Sequence, residues 1–253
     1  STQEYKEIAP YIVVQIYYAQ RHIDIAEPRA RQLLEQYPTN KNNGEMERIL
    51  GEIAYNAGRW DETIDRLARY EQSFREQGRE IENEDIYILG TARLKNAQYA
   101  AAISDFKRIK QAKDSLAEKV YLNLGHAYVK ANDIEKAKLS YQAAMRYNIH
   151  PQLREEAMFN YTLTTYRTST AIGESVEAFT SFLKAYPQSK HSNEVFQLMS
   201  QAFMQSKNYQ AALDALDSIN QPSSEMQETK QYLRYQLATD AYAQGKMTMV
   251  APW

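Results

Sequence analysis

Residues 117–151 read AEKVYLNLGHAYVKANDIEKAKLSYQAAMRYNIHP, and the order of small and large side chains in this stretch decides the fold. Tyr121, Leu124, Gly125 and Tyr128 recur at helical spacing, Asn132 and Asp133 follow, and then Ala137, Tyr141 and Ala144 repeat the pattern up to Pro151. Two closely packed antiparallel helices need this arrangement: a small residue on each, here Gly125 and Ala137, at the point of approach, with polar turn residues between them.

The stretch resembles the tetratricopeptide repeat, a helix–turn–helix unit of about 34 residues. Similar units occupy approximately 7–38, 44–80, 83–113, 117–151, 155–187 and 192–220, with a partial unit at 226–253. The close-packing places are Gly51, Gly90, Gly125, Thr162, Ser200 and Ala238, separated by 39, 35, 37, 38 and 38 positions. One match to so loose a pattern says little, but a series at a near-constant period marks a repeat array. The resemblance implies an all-α fold, a right-handed superhelical α-solenoid of about six to seven helix pairs in a single array, each stacked only on its neighbours.

Composition agrees with that reading. The chain has 253 residues, 43% hydrophobic and 25% charged, as ordinary globular proteins do. A net charge of −2 without a basic block gives no support for nucleic-acid binding. The absence of cysteine removes disulfides and thiolate metal sites, and fits an oxidising compartment as well as a reducing one. Only 8 Gly and 7 Pro leave long helical windows, against a turn-rich β fold. The 20 tyrosines fill gaps between stacked helices or, on an exposed inner face, offer a ligand aromatic area.

The apolar run 11–19 (YIVVQIYYA) is far shorter than the about 20 residues that span a bilayer, so direct membrane insertion is not expected. With Glu4 and Glu7 before it and no small-residue cleavage site behind, it reads as a buried first helix after Pro10 and not as a signal peptide. The second unit places Gly51 in its first helix, Gly58 at the turn and Trp60 just after it. The charged segment 71–85 departs from the repeat pattern and is expected to extend the second helix before looping at Gly78. Ala97 stands where the third unit would be expected to carry a turn glycine. The unfinished last unit, ending MTMVAPW, and the missing initiator methionine suggest a fragment or processed form of a longer protein.

In this family the first helices line a concave groove. The side chains expected there include Tyr55, Tyr87, Lys95, His126, Lys130, Tyr166 and Arg167. Lys95, Lys130 and Arg167 take nearly equivalent places in successive units, and as a positive ladder they would suit an extended peptide with acidic side chains or a free carboxylate. Three basic residues on a solvated face also arise readily among 30 Lys and Arg. The family's chaperone-tail clamp is not carried over, because Glu52 and Thr91 stand where that clamp wants asparagine.

Catalytic patterns are missing: the sequence holds no HExxH, GxSxG, P-loop or GxGxxG, and the four histidines lie in different units. The expectation is therefore no enzyme, no cofactor and no metal, but a scaffold that binds a protein or extended peptide, with self-association also open. Two settings are weighed. The stretches 30–43 (ARQLLEQYPTNKNN) and 179–196 (FTSFLKAYPQSKHSNEVF) resemble the YP-terminated repeats of bacterial periplasmic envelope proteins, which favours the cell envelope. The alternative is a regulatory domain of a larger cytoplasmic signalling or transcription protein. Independently of setting, Gly125→Leu should wedge its helix pair apart and cost about 1–3 kcal/mol in chemical denaturation, whereas an unchanged midpoint would refute the close approach.

Overall fold

The computed structural model describes residues 2–245. These contain thirteen α-helices and no strand, in two compact units, residues 1–132 and 133–253. Unit 1 holds α1 (Thr2–Ala19), α2 (Ile23–Gln36), α3 (Asn43–Asn56), α4 (Trp60–Glu76), α5 (Asn83–Lys95), α6 (Tyr99–Arg108) and α7 (Asp114–Lys130). Each helix packs on the next, and α3 also meets α1 and α5, while α7 meets α5. The core accordingly runs as successive clusters: Tyr11, Ala30, Ile49 and Ile53 across α1 to α3, then Leu67, Tyr70 and Leu89, then Phe106, Val120 and Leu124. A pair cannot enclose its own apolar face, so its neighbours complete each cluster.

Small residues set the spacing. A Cβ on Gly51 would lie 2.7 Å from Leu67 Cδ2, and one on Gly90 would lie 2.8 Å from the Phe106 ring and 3.1 Å from Asp105 Cβ. Turns between paired helices use a left-handed residue: Gly58 has φ +72° at the α3–α4 turn, and Ala97 adopts φ +58° at the α5–α6 turn. A Cβ there clashes with the backbone, which glycine avoids.

The segment 71–85 continues α4 to Glu76, turns at Gly78 and seals itself with buried Ile81. Arg108 of α6 grips Glu71 of α4 through both terminal guanidinium nitrogens, and Arg31 of α2 bonds Glu62 of α4 at 2.6 Å. The second helices are thus laced together by ion pairs, each half-exposed and individually weak.

Two sequence expectations change at the N-terminus. The first helix begins at Thr2 and runs through Pro10, which removes one backbone donor without ending it. It is also only half buried: Tyr11 and Val14 are enclosed, whereas Ile12, Val13 and Ile16 face solvent, no described helix lying over that side.

Unit 2 holds α8 (Ile134–Ala144), α9 (Pro151–Thr168), α10 (Ile172–Ala185), α11 (Ser192–Ser206), α12 (Tyr209–Asp217) and α13 (Ser224–Ala243). Its core is phenylalanine-rich, with Phe159, Phe179, Phe182, Phe196 and Phe203 around Leu183 and Met199. Asn208 and Ser223 cap α12 and α13 by accepting backbone N–H bonds from Ala211 and Met226. Residues 246–253, the end of the unfinished unit 226–253, lie outside the described residues.

The two YP stretches fold alike. Tyr37 ends α2 at φ −132°, ψ 64°, and Tyr186 ends α10 at φ −133°, ψ 60°. Each tyrosine carbonyl accepts a side-chain bond from six residues on, from Asn43 Nδ2 and from Ser192 Oγ, both at 2.7 Å. YPTNKNN and YPQSKHS are therefore one loop built twice, with Asn40 and Ser189 each accepting a backbone bond two residues later.

Ala97→Gly should raise unfolding free energy by about 1 kcal/mol, while Gly90→Val should lower it by about 1–3 kcal/mol, both read from urea midpoints. The opposite signs distinguish strain at a turn from crowding between helices.

Candidate partner-binding face

The first helices of unit 1 share a face bound together by side-chain hydrogen bonds between successive repeats. Asn123 of α7 donates from Nδ2 to Tyr87 Oη at 3.1 Å and to Thr91 Oγ1 at 3.2 Å, both on α5. Burial raises the Tyr55 phenol of α3, and Thr91 partly offsets that rise. Tyr18 of α1 donates to Glu52 of α3, which also receives Arg48, and Arg48 donates to Glu45 at 3.0 Å. Helical geometry explains the series: positions on equivalent faces of stacked helices come into side-chain reach once each repeat.

This seam shapes the electrostatics. Burial, and secondarily the neighbouring Tyr55, pushes the Tyr87 phenol up to about 12. Burial also raises Tyr18, reinforced by its bond to Glu52. Arg48 loses hydration by burial, but Glu52 and Glu45 outweigh that loss and hold its charge. Below the seam, buried Asp85 accepts from Tyr70 Oη at 3.0 Å, and desolvation lifts its carboxyl from 3.8 to about 6 despite Tyr70 and Arg48, with Glu52 and Glu45 adding to the rise.

The expected site residues fall into two sets. Tyr55, Tyr87, Lys95, His126 and Lys130 belong to unit 1, and Tyr166 and Arg167 to unit 2. Tyr55 and Tyr87 are half-buried walls, Tyr55 edge-on to Trp60 at 5.7 Å and Tyr87 against Phe106 at 6.1 Å. His126 is half-buried one position after Gly125. Tyr166 packs its ring 5.3 Å from Phe179, and Arg167 is exposed beside it.

Lys95, Lys130 and Arg167 are all exposed, and each stands in the last turn of its helix, α5, α7 and α9. That is where the helix dipole favours a cation, which gives the ladder a structural reason of its own. Lys95 and Lys130 form no ion pair among the described residues.

Of the proposed packing residues, Gly51 and Gly90 sit at the contacts described above. Gly125 is buried, Thr162 is fully enclosed and bonds the Met158 carbonyl at 2.9 Å, and Ser200 and Ala238 are half-buried. Sequence reasoning missed Asn123 and its bonds to Tyr87 and Thr91. The only available signal was their spacing of 36 and 32 residues, close to one repeat. Among the described residues, no group of three or more His, Asp or Glu could hold a metal ion, and no helix is long and apolar enough to cross a membrane.

Asp85 gives this face a pH dependence with a definite sign. Its folded value lies above its ordinary one, so the stability it contributes is complete below about 3.8 and is lost as pH rises through about 6. Asp85→Asn keeps an acceptor for Tyr70 and cannot ionise. Relative to the natural chain the variant should gain about 1–3 kcal/mol between pH 4 and pH 7.5 in denaturant titrations, and a pH-independent difference would contradict a buried, late-ionising Asp85.

Models of the tetratricopeptide repeat match residues 14–77 and 118–148. No curated protein matches the sequence significantly. Among solved structures, the Rap conjugation gene regulator of plasmid pLS20 in complex with the Phr* peptide is similar at 11% identity, covering 81% of this chain and 68% of its own, with TM-score 0.43. The apo quorum sensor NprR from B. thuringiensis is 13% identical over 95% of this chain and 83% of its own, TM-score 0.38. The P58(IPK) TPR domain is 11% identical over 92% and 80%, TM-score 0.29. With helix pairs across the described residues, the chain carries tetratricopeptide repeats in these two matched stretches.

Proposed function

We propose that this chain is a non-catalytic scaffold that binds an extended peptide or protein segment on the first-helix face of unit 1. One observation carries the reading: Asn123 of α7 ties Tyr87 and Thr91 of α5 into a hydrogen-bonded wall with Tyr55 of α3 beside it, and exposed Lys95 and Lys130 stand at the ends of α5 and α7. The wall is pre-organised, so a ligand pays little to order it. The Asn123 amide nitrogen is engaged by Tyr87 and Thr91, while its Oδ1 has no hydrogen-bond partner among the described residues and can accept a peptide N–H. Aromatic faces supply contact area, and the lysines favour a segment bearing carboxylates. A catalytic role gains no support, because the exposed-side carboxylates Glu45 and Glu52 are already engaged by Arg48 and Tyr18.

The setting we favour is a bacterial cell envelope, on the strength of the twin YP loops at Tyr37 and Tyr186. The test is affinity capture from separated envelope and cytosolic extracts with three chains: natural, Lys95→Glu with Lys130→Glu, and Asn123→Ala, each checked to be helical. The natural chain should capture a partner from the envelope fraction, with retention at least about tenfold lower in both variants. Equal capture by all three would remove the face from binding, and a partner found only in cytosol would remove the envelope.

A further inference from the structure

Two cavities lie beside the twin YP loops, one in each unit. The first, of about 730 Å³, lies between the loop that follows Tyr37 and Gln72, Ser73 and Gln77, where the next helix pair ends. The second, of about 400 Å³, lies between the loop that follows Tyr186 and Ile219, Gln221 and Ser223, which again end the next pair. Both fall in the range of roughly 300–1,000 Å³ that small-ligand sites occupy. Every position between Leu183 and Asn193 that lines the second has its counterpart 149 residues earlier, between Leu34 and Gly44, in the lining of the first.

Three residues are identical in the two loops: the tyrosine, the proline, and Lys41 or Lys190. The tyrosine carbonyl takes the bond that closes the loop, and the proline keeps the helix from running on. The lysine has no such duty. Both lysines are exposed, and neither ammonium has a hydrogen bond or ion pair among the described residues. Lys190 is the one charged residue lining its cavity, whose other walls are buried Leu183, Ile219 and Met226, two prolines, and amide and hydroxyl side chains. Around Lys41 the lining arginines Arg31, Arg66 and Arg69 are engaged by Glu62, Glu47 and Asp65. Gln77 Nε2 donates to the Lys41 carbonyl at 3.1 Å and ties the loop to the opposite wall. Each cavity therefore keeps one unengaged cation, at the same loop position, beside amide groups and apolar side chains.

We propose that the two cavities are one binding site built twice, each taking a short peptide by a carboxylate on the loop lysine, with the amide and hydroxyl groups serving the peptide backbone. One exposed ion pair contributes little by itself, so each site binds weakly, with Kd on the order of 1 mM. Exposed Glu35 and Glu76 also line the first cavity, so the second holds the anion more firmly. No residue of the first-helix wall lines either cavity, and the proposal is independent of the binding face on that wall.

The experiment follows the backbone amides of the full, isotope-labelled chain by NMR while each of three probes is added to about 10 mM. The probes are N-acetyl-trialanine, the same peptide with its carboxylate amidated, and an amidated N-acetyl tripeptide whose central residue is glutamate. The free-acid peptide should shift residues 38–44 and 187–193, the second set saturating first, and its amide should shift neither. Lys41→Gln should abolish the response of the first loop alone and Lys190→Gln that of the second alone, and both side chains are exposed, so the fold is kept. A response to the glutamate peptide as well would support the same site with a side chain as the source of the carboxylate. No shift in either loop, a shift in one loop only, or shifts indifferent to amidation or to the lysine variants would overturn the proposal. The amides of Tyr87, Lys95 and Asn123 report the first-helix wall in the same spectra, so either site can fail without the other.

Discussion

The close approach of Gly51 to Leu67 and of Gly90 to Phe106 is the constraint on which the rest of unit 1 depends. A side chain at either place would separate the two helices of a pair, and the residues that rely on that separation are many. Leu67 and Phe106 are enclosed only because the glycines admit them, and they form the floors of the clusters shared with the next repeat. Spacing within a pair thus fixes spacing between pairs. The side-chain bonds from Asn123 to Tyr87 and Thr91 need that inter-repeat distance to close at about 3 Å.

Much of this was legible because it follows from residue size and chain direction. A small residue recurring at 35 to 39 positions marks where helices touch, and nothing but packing is required to read it. The YP loops were legible as a pair for a similar reason: both stop a helix at tyrosine, and both carry a short polar side chain six residues on that satisfies the freed carbonyl. What the sequence hid were properties set by neighbours. Asp85 looks like an ordinary acidic residue at a helix start, yet it is buried and accepts a bond from the Tyr70 hydroxyl. Residues 11–19 look uniformly apolar, and only the arrangement of α2 and α3 separates the enclosed Tyr11 and Val14 from the exposed Ile12 and Ile16.

Lys95 and Lys130 show how one placement serves two ends. At the last turn of a helix a lysine balances the exposed carbonyl groups, and that alone explains its recurrence. The same placement leaves each ammonium without a carboxylate partner, beside a wall of tyrosine, threonine and asparagine hydroxyl and amide groups. By contrast Arg31, Arg66 and Arg108, among the second helices, are engaged by Glu62, Glu47 and Glu71. Exposed Arg29 of α2 and Lys107 of α6 also have no ion pair among the described residues, so what distinguishes the first helices is that their unpaired lysines stand with the aromatic area.

The most direct measurement of that division is site-specific photo-crosslinking in the cell of origin, with the reactive side chain placed at Lys95 in one chain and at Arg69, on the second helix α4, in another. Both positions are exposed, so each reports what touches its own side. A discrete crosslinked species at position 95 and none at position 69 is the result the account predicts. A species formed at position 69 and absent at position 95 would contradict it and move the partner to the second-helix side.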